Sequence, residues 1–188
     1  GYAWYNDDEP VNDARNFYKR NGIPAFCWHW RDPSQKTDAF YTKDTSFDIT
    51  KVSDPNSAEY KAMIKDIDYI STLLKRLQTD DVPVLWRPLH EASGGWFWWG
   101  AKGAEPCKKL YRLMYDRMVN YHGLRNLIWV WTSQQNDQNW YPGDDVVDII
   151  GRDIYKDGDH SSQILEFNQL NNDAGGKKII TLSETGSF

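Results

Sequence analysis

The chain has 188 residues, a length typical of one domain that can bury a core. Its formal net charge is −5 and its basic residues are scattered among acidic ones, which argues against nucleic acid or an anionic membrane as a partner. No apolar run approaches the roughly 20 residues of a membrane span, and the first ten residues, GYAWYNDDEP, lack the basic and apolar regions of a signal peptide.

The first elements predicted are a helix, a strand and a long loop. Residues 9–21 are predicted to form a helix, and the nearly all-apolar run 23–30 a buried strand. A polar loop follows over residues 31–55. Because structureless loops of that length are uncommon, we expect this one to serve function.

The next elements repeat the pattern of a helix followed by a strand. Apolar residues at 3.6-residue spacing predict a helix over 57–78, with Asn56 and Glu59 as its capping pair. Residues 82–90, VPVLWRPLH, predict a second strand. The remaining predicted elements are helix 105–121, strand 127–132, strand 146–155, helix 161–172 and strand 178–184.

Strands that are continuous apolar runs and alternate with helices predict a parallel sheet covered by helices. Polar residues follow at the C-terminal ends of all five strands, which is where a (β/α)8 barrel builds its site. An open doubly wound sheet gathers ligands at a single switch point instead. A complete barrel needs at least about 200 residues, so we predict one α/β domain over residues 1–188, an incomplete TIM barrel lacking strands at both ends.

The aromatic content is unusual, with 10 Trp and 11 Tyr. Indole rings pack well in cores, but they also offer a flat apolar face on which a sugar ring can stack. We predict a carbohydrate site with Trp96 as the platform, and we expect Trp98 and Trp99 to pack in the interior. Weaker platform candidates are Trp28, Trp30 and Trp140.

Two glutamates stand at strand ends and are followed by small residues, Glu91 in RPLHEASGG and Glu184 in LSETG. Glycoside hydrolysis needs two carboxyl groups that flank one bond, one protonated and one ionised. Tryptophans beside Glu91 would raise its pKa and keep it protonated. From spacing alone, an ordinary surface carboxylate is an equally good interpretation of either residue.

The segment RPLHE followed by GGWFWWG resembles glycoside hydrolase family 26, best known for endo-β-1,4-mannanases. LRNLIWVW and WYPGDDVVDIIGRDIY are similar to further segments of that family. The resemblance implies a (β/α)8 barrel in which the five predicted strands are barrel strands 3 to 7. It also implies a retaining mechanism.

The same resemblance implies roles for individual residues. Glu91, which follows His90 at the end of strand 4, would be the acid/base, and Glu184 at the end of strand 7 would be the nucleophile. His29 in WHW would lie in the substrate site, and His90 would orient Glu91 or bind substrate. Tyr155 would contact the nucleophile and help keep it ionised.

Two further polar residues are expected to support the site. Arg87 would either supply positive charge near the carboxylates or form a structural salt bridge with Asp153. No metal site and no cofactor are predicted, because the four histidines show no ligand spacing and KDGDH lacks the rest of a calcium loop. Cys27 and Cys107 are predicted to be separate free thiols.

These expectations describe a retaining hydrolase that cleaves β-1,4-mannosidic bonds within mannan, galactomannan or glucomannan. Its partner would be a β-mannan-type polysaccharide or oligosaccharide, and the protein would be a monomer that is secreted, periplasmic or on the cell surface. A β-1,3-1,4-glucanase or β-1,3-xylanase of the same family is the near alternative. A carbohydrate-binding module without catalysis is the far one.

Overall fold

In a computed structural model, which describes residues 8–186, helices alternate with the strands of a single sheet. The strands are β1 (Ala25–Cys27), β2 (Val84–Arg87), β3 (Leu127–Thr132), β4 (Ile149–Ile154) and β5 (Ile179–Thr185). The α-helices are α1 (Asp8–Tyr18), α2 (Ala58–Thr79), α3 (Ala104–Tyr115) and α4 (Ile164–Asp173). Helix α3 continues as a π-helix over Asp116–Tyr121.

The sheet is parallel throughout, and its strand order β1-β2-β3-β4-β5 follows the chain. This confirms the parallel sheet predicted from the alternation of apolar runs and helices. Strand β5 pairs with β4 alone in the described part of the chain. Its Ile179 and Leu182 are 66% and 52% exposed, an apolar edge that fits an incomplete barrel.

Helix α2 illustrates how the apolar spacing produces the core. Met63 and Ile67 lie one turn apart and are fully buried. The predicted cap at Asn56 is wrong by one residue, since the Ser57 side chain accepts from the backbone N–H of Tyr60. No helix within residues 8–186 has both the length and the apolar character needed to cross a membrane.

Three strands are shorter than predicted, and β4 is one of them, since it covers Ile149–Ile154 rather than residues 146–155. Strand β1 ends at Cys27, so the aromatic residues that follow it belong to a loop. Strand β2 ends at Arg87, because Leu89 and Glu91 both take left-handed backbone with φ of 53°. Non-glycine residues rarely adopt this conformation, and a pattern of apolar residues cannot show it.

The long loop between β1 and α2 has its own structure. It contains a 3-10 helix over Ile49–Ser53, and the buried Asp32 carboxylate accepts hydrogen bonds from Ser34 and Thr45. Tyr41 forms an isolated antiparallel bridge with Phe97. The loop is therefore held against the segment that follows Glu91, at the C-terminal edge of the sheet.

The tryptophans divide between core and surface. Trp98 and Trp99 are 1% and 0% exposed, which confirms that they pack in the interior. Trp28 and Trp30 stack on each other with ring centroids 4.2 Å apart and are also buried, so the prediction of a sugar platform there is wrong. Trp96 is 42% exposed.

Candidate active site

The C-terminal edge of the sheet gathers the side chains that the sequence singled out. The nearest carboxylate oxygens of Glu91, Asp153 and Glu184 all lie within 4.8 Å of one another. Hydrogen bonds connect Arg87, Trp96 and Tyr155 to these carboxylates. His29 and His90 are close enough to Arg87 for its charge to lower their pKa values. All eight predicted side chains therefore belong to one site.

The guanidinium of Arg87 joins the two acidic strand ends. Its Nη1 donates to Asp153 Oδ2 at 3.0 Å and to Thr132 Oγ1 at 2.8 Å, and its Nη2 donates to Glu184 Oε1. The side chains of Arg87 and Asp153 are 9% and 1% exposed, so this pair is buried. The two roles that the sequence left open for Arg87 are thus both present in the geometry.

A register shift brings an unpredicted residue, Ser183, into the same network. Arg152 pairs with Leu182 but Asp153 pairs with Glu184, so Ser183 is an extra residue on β5. Its Oγ donates to Asp153 Oδ1 at 2.6 Å. The serine side chain lies over Gly151, where an added Cβ would meet the Ser183 Oγ at 2.5 Å.

The carboxyl group of Glu91 lies on the tight turn after β2 and contacts Trp96. The indole Nε1 of Trp96 donates to Glu91 Oε2 at 3.1 Å. This ring lies directly over Gly94, where a Cβ would be 2.0 Å from it, so any larger residue there would displace it. Gly94 therefore helps to place the indole beside the carboxyl group.

Burial of the Glu91 carboxyl and the negative charge of Asp153 raise its pKa above the ordinary value. The hydrogen bond from Trp96 and the positive charge of Arg87 act in the opposite direction and are weaker. The direction is the one predicted, but a carboxylate neighbour contributes to it as well as the aromatic surroundings. This carboxyl group can therefore hold a proton at a higher pH than an ordinary glutamate.

Both carboxylate oxygens of Glu184 have donors. Oε1 accepts from Arg87, and Oε2 accepts from the Tyr155 hydroxyl at 2.5 Å. Desolvation of that hydroxyl and the nearby charge of Asp153 raise the pKa of Tyr155, so it remains a donor. A cation and a hydroxyl together favour the ionised form of Glu184.

Two histidines, His29 and His90, pack against each other near Arg87. His90 is buried at 2% exposure, and its ring centroid is 4.6 Å from that of the exposed His29. Burial lowers the pKa of His90 to about 3, with Arg87 adding to the effect, and burial also lowers the pKa of His29. Both imidazoles are therefore neutral near pH 7 and can donate and accept hydrogen bonds.

The sequence did not assign Cys27 to this site. Its Sγ lies 3.1 Å from Nδ1 of His90. Burial raises the pKa of the thiol to about 11, so it is protonated under ordinary conditions. Cys27 and Cys107 are both free, as predicted. Only the position of Cys27 at the end of β1 could have indicated that it faces the site.

Replacement of Arg87 by methionine should destabilise the fold. The change leaves Asp153 buried without its cation, and breaking one partner of a buried pair costs about 3–5 kcal/mol. Urea unfolding measures this loss. The matched control is Arg76→Met, because Arg76 and its partner Asp8 are 37% and 76% exposed. Exposed pairs contribute about 0–1 kcal/mol.

The double variant Arg87→Met, Asp153→Asn tests the reason for the loss. Removing the second charge should restore part of the stability, because an amide is easier to bury than an uncompensated carboxylate. If the losses of unfolding free energy in Arg87→Met and Asp153→Asn simply add in the double variant, the two side chains are not coupled.

The comparison with protein families agrees with this geometry. The model of glycosyl hydrolase family 26 matches residues 5–188. The chain belongs to glycosyl hydrolase family 26. The resemblance inferred from RPLHE and GGWFWWG is confirmed, and with it the incomplete (β/α)8 barrel.

Relatives within family 26 are similar over most of this chain. It is 47% identical to a mannan endo-1,4-beta-mannosidase of Thermothelomyces thermophilus over 186 residues, which is 94% of the chain and 38% of that protein. It is 46% identical to mannan endo-1,4-beta-mannosidase A of a Piromyces species, over 90% of the chain and 27% of that protein. The chain therefore spans well under two thirds of these relatives.

A solved family 26 structure is also similar. It is the beta-mannanase from a symbiotic protist of the termite Reticulitermes speratus, complexed with gluco-manno-oligosaccharide. The TM-score is 0.94 at 47% identity, and the match covers 98% of this chain and 60% of that one. The five parallel strands described above thus have the family 26 arrangement.

Proposed function

We propose that this chain carries the catalytic centre of an endo-acting, retaining hydrolase of β-1,4-mannosidic bonds in mannan, galactomannan or glucomannan. One observation carries the proposal. Carboxylate oxygens of Glu91 and Glu184 lie within 4.8 Å of each other. Retaining glycosidases place their two carboxyl groups about 5–5.5 Å apart, whereas inverting ones leave about 6.5–9.5 Å for a water molecule. The names of the family 26 relatives support mannan as the substrate.

In the first step, Glu184 attacks the anomeric carbon and forms a covalent glycosyl-enzyme. Arg87 and Tyr155 hold its two oxygens, so the carboxylate is already oriented when the sugar binds. Glu91 gives its proton to the departing glycosidic oxygen. The raised pKa of Glu91 makes that proton available.

In the second step, Glu91 is ionised and removes a proton from water. The hydroxide so generated attacks the anomeric carbon on the face that the leaving group vacated, and Glu184 departs as a carboxylate. Two inversions at one carbon give net retention. The hydrogen bond from Trp96 and the charge of Arg87 stabilise the ionised Glu91 that this step requires.

Residues around the two glutamates would position the sugar. The neutral rings of His29 and His90 can exchange hydrogen bonds with hydroxyl groups without introducing charge. Trp96 is the platform candidate, because its indole is half exposed beside Glu91. The proposal includes a single catalytic domain over residues 1–188, a monomer, and a secreted, periplasmic or cell-surface location.

Turnover on three polysaccharides tests the substrate. We expect release of oligosaccharides from galactomannan and little from lichenan or β-1,3-xylan. Proton NMR of the first product formed should show the β anomer before mutarotation. Hydrolysis of lichenan or β-1,3-xylan without hydrolysis of mannan would replace the proposal by the near alternative. Binding without any hydrolysis would favour the carbohydrate-binding module.

Replacement of Trp96 by phenylalanine should move the pH dependence of kcat/KM. The phenyl ring keeps an apolar face but cannot donate to Glu91. That hydrogen bond lowers the pKa of Glu91, so its loss should raise the pKa further. Because protonated Glu91 is the active form of the acid, the alkaline limb of the profile should move to higher pH.

Trp96→Ala is the matched comparison. It removes both the donor and the ring, so it should raise KM. Because it also exposes the Glu91 carboxyl to water, which lowers the pKa, its alkaline limb should move less far than that of Trp96→Phe. An unchanged alkaline limb in Trp96→Phe would mean that the indole N–H does not act on Glu91. A KM that stays unchanged in Trp96→Ala would exclude Trp96 as the platform.

A further inference from the structure

The proposed mechanism does not use one nucleophilic group of the site, the thiol of Cys27. The thiol of Cys27 lies at the end of β1, beside His90 and on the same side as His29. One side-chain donor atom from each of these residues lies within 4.8 Å of the other two. Cysteine sulfur and imidazole nitrogen are ligands that Zn²⁺ prefers.

The spacing of these three donors fits a tetrahedral ion. With Zn–S near 2.3 Å and Zn–N near 2.0–2.1 Å, ligand atoms around zinc are roughly 3.3–3.7 Å apart. The sulfur of Cys27 and Nδ1 of His90 are already at 3.1 Å. His29 is exposed, so its ring can adjust and an ion can reach the three donors from solvent.

The charge around the three donors also permits a cation. Arg87 is close enough to lower the pKa of His29 and His90, and Arg31 also lowers the pKa of His29, so either charge by itself would repel a metal ion. Both charges are compensated, however, because Arg31 pairs with Asp38, and Arg87 pairs with Asp153 and Glu184. With Glu91 nearby, four carboxyl groups accompany two guanidinium groups, and the centre stays net negative even when Glu91 is protonated.

We propose that Cys27, His29 and His90 form a site for Zn²⁺ or a similar thiophilic divalent ion, and that occupation of the site inhibits the enzyme. Binding forms a metal–sulfur bond, and the thiol proton of Cys27 is released to solvent. The two imidazoles bind through nitrogen lone pairs and lose no proton.

An ion at this position would exclude substrate. It would occupy the lone pairs of His29 and His90 that the proposed function assigns to sugar hydroxyls. Zn²⁺ and oligosaccharide should therefore compete, with a higher KM and an unchanged kcat. This competition rests on the proposed function, whereas binding of the ion does not.

Direct binding is measured first. Co²⁺, a spectroscopic substitute for Zn²⁺, should produce a thiolate-to-metal absorption band in the near ultraviolet, and Zn²⁺ should displace it. The control is Cys107→Ala, because Cys107 is a fully buried thiol on α3. That variant should keep the band, and Cys27→Ala should lose it.

The Zn²⁺ affinity of variants measures how much each ligand contributes. Loss of a residue that merely supports a metal ligand costs about 10–100-fold in affinity, so removal of the thiolate itself should weaken Zn²⁺ binding by about 100-fold. Cys27→Ser, checked by thermal unfolding, repeats the test with a side chain of nearly the same size. His29→Ala, at an exposed position, should weaken binding without disturbing the core.

The outcomes separate the two proposals. No band in the unmodified protein, a band that persists in Cys27→Ala, or a band lost in Cys107→Ala would overturn the metal site. Zn²⁺ that binds without raising KM would overturn the competition. A protein that binds Co²⁺ through Cys27 and hydrolyses no polysaccharide would contradict the proposed function and leave the metal site intact.

Discussion

Replacement of Glu184 by alanine should reduce kcat on mannan by about 10⁵-fold or more, since loss of the nucleophile costs about 10⁶-fold in a serine hydrolase. Both oxygens of Glu184 are held, one by Arg87 and one by Tyr155. No other described carboxylate is placed with both of these donors, so a neighbour cannot take over its task. Single-turnover and steady-state rates on mannan oligosaccharides measure the loss.

Two further measurements test whether the fall in kcat comes from loss of the nucleophile. Azide added to Glu184→Ala should occupy the vacated position, attack the anomeric carbon and yield an α-glycosyl azide. Glu105→Ala is the control, because Glu105 lies on the surface of α3 with a side chain that is 74% exposed. Comparable losses in the two variants would exclude Glu184 as the nucleophile.

Replacement of Glu91 by glutamine should lower kcat/KM on mannan by about 10³-fold, within the 10²–10⁴ range that general acid–base catalysis contributes. Glutamine can still accept from the Trp96 indole, so the turn after β2 should keep its shape. An amide cannot deliver a proton to the departing oxygen. The alkaline limb of the pH profile, which reports deprotonation of the acid, should disappear with it.

Substrates with different leaving groups test whether Glu91 is the general acid. Aryl mannosides with a strongly acidic phenol leave without protonation, so their first step should be nearly as fast in Glu91→Gln as in the unmodified enzyme. Glu105→Gln should affect neither class of substrate. Equal losses on mannan and on activated aryl substrates would show that Glu91 does not act as the acid.

Much of the fold follows from the periodicity of the sequence. LIWVWT predicts β3 with its observed ends, Leu127 and Thr132, because a continuous apolar run buried on both faces has few alternatives. The end of β2 could not be predicted. Arg87 is followed by left-handed backbone at Leu89, a conformation that depends on what the turn packs against.

The site was predictable to the extent that its residues end strands. Parallel strands bring their C-terminal ends to one edge, so Glu91 and Glu184 are expected to be neighbours once the sheet is parallel. The positions of residues at strand ends did not predict which carboxylates pair with Arg87. Two carboxylates from different strands share one guanidinium, and that depends on distances that no sequence spacing gives.

The roles of Ser183 and Cys27 in the site could not be predicted from the sequence. A regular strand would place Ser183 and Glu184 on opposite faces, whereas the register shift directs both toward Asp153. Cys27 resembled an ordinary buried thiol in an apolar run. Its neighbour His90 lies 63 residues away in the chain, beyond any local motif.

The exposed indole beside Glu91 has a practical consequence. Among the tryptophans within residues 8–186, only Trp96 has more than a third of its surface exposed to water. A collisional quencher such as acrylamide should therefore act on the emission of Trp96 before that of the interior rings. A sugar stacked on this ring would shield it, so fluorescence of the inactive Glu184→Ala variant can report oligosaccharide binding without any turnover.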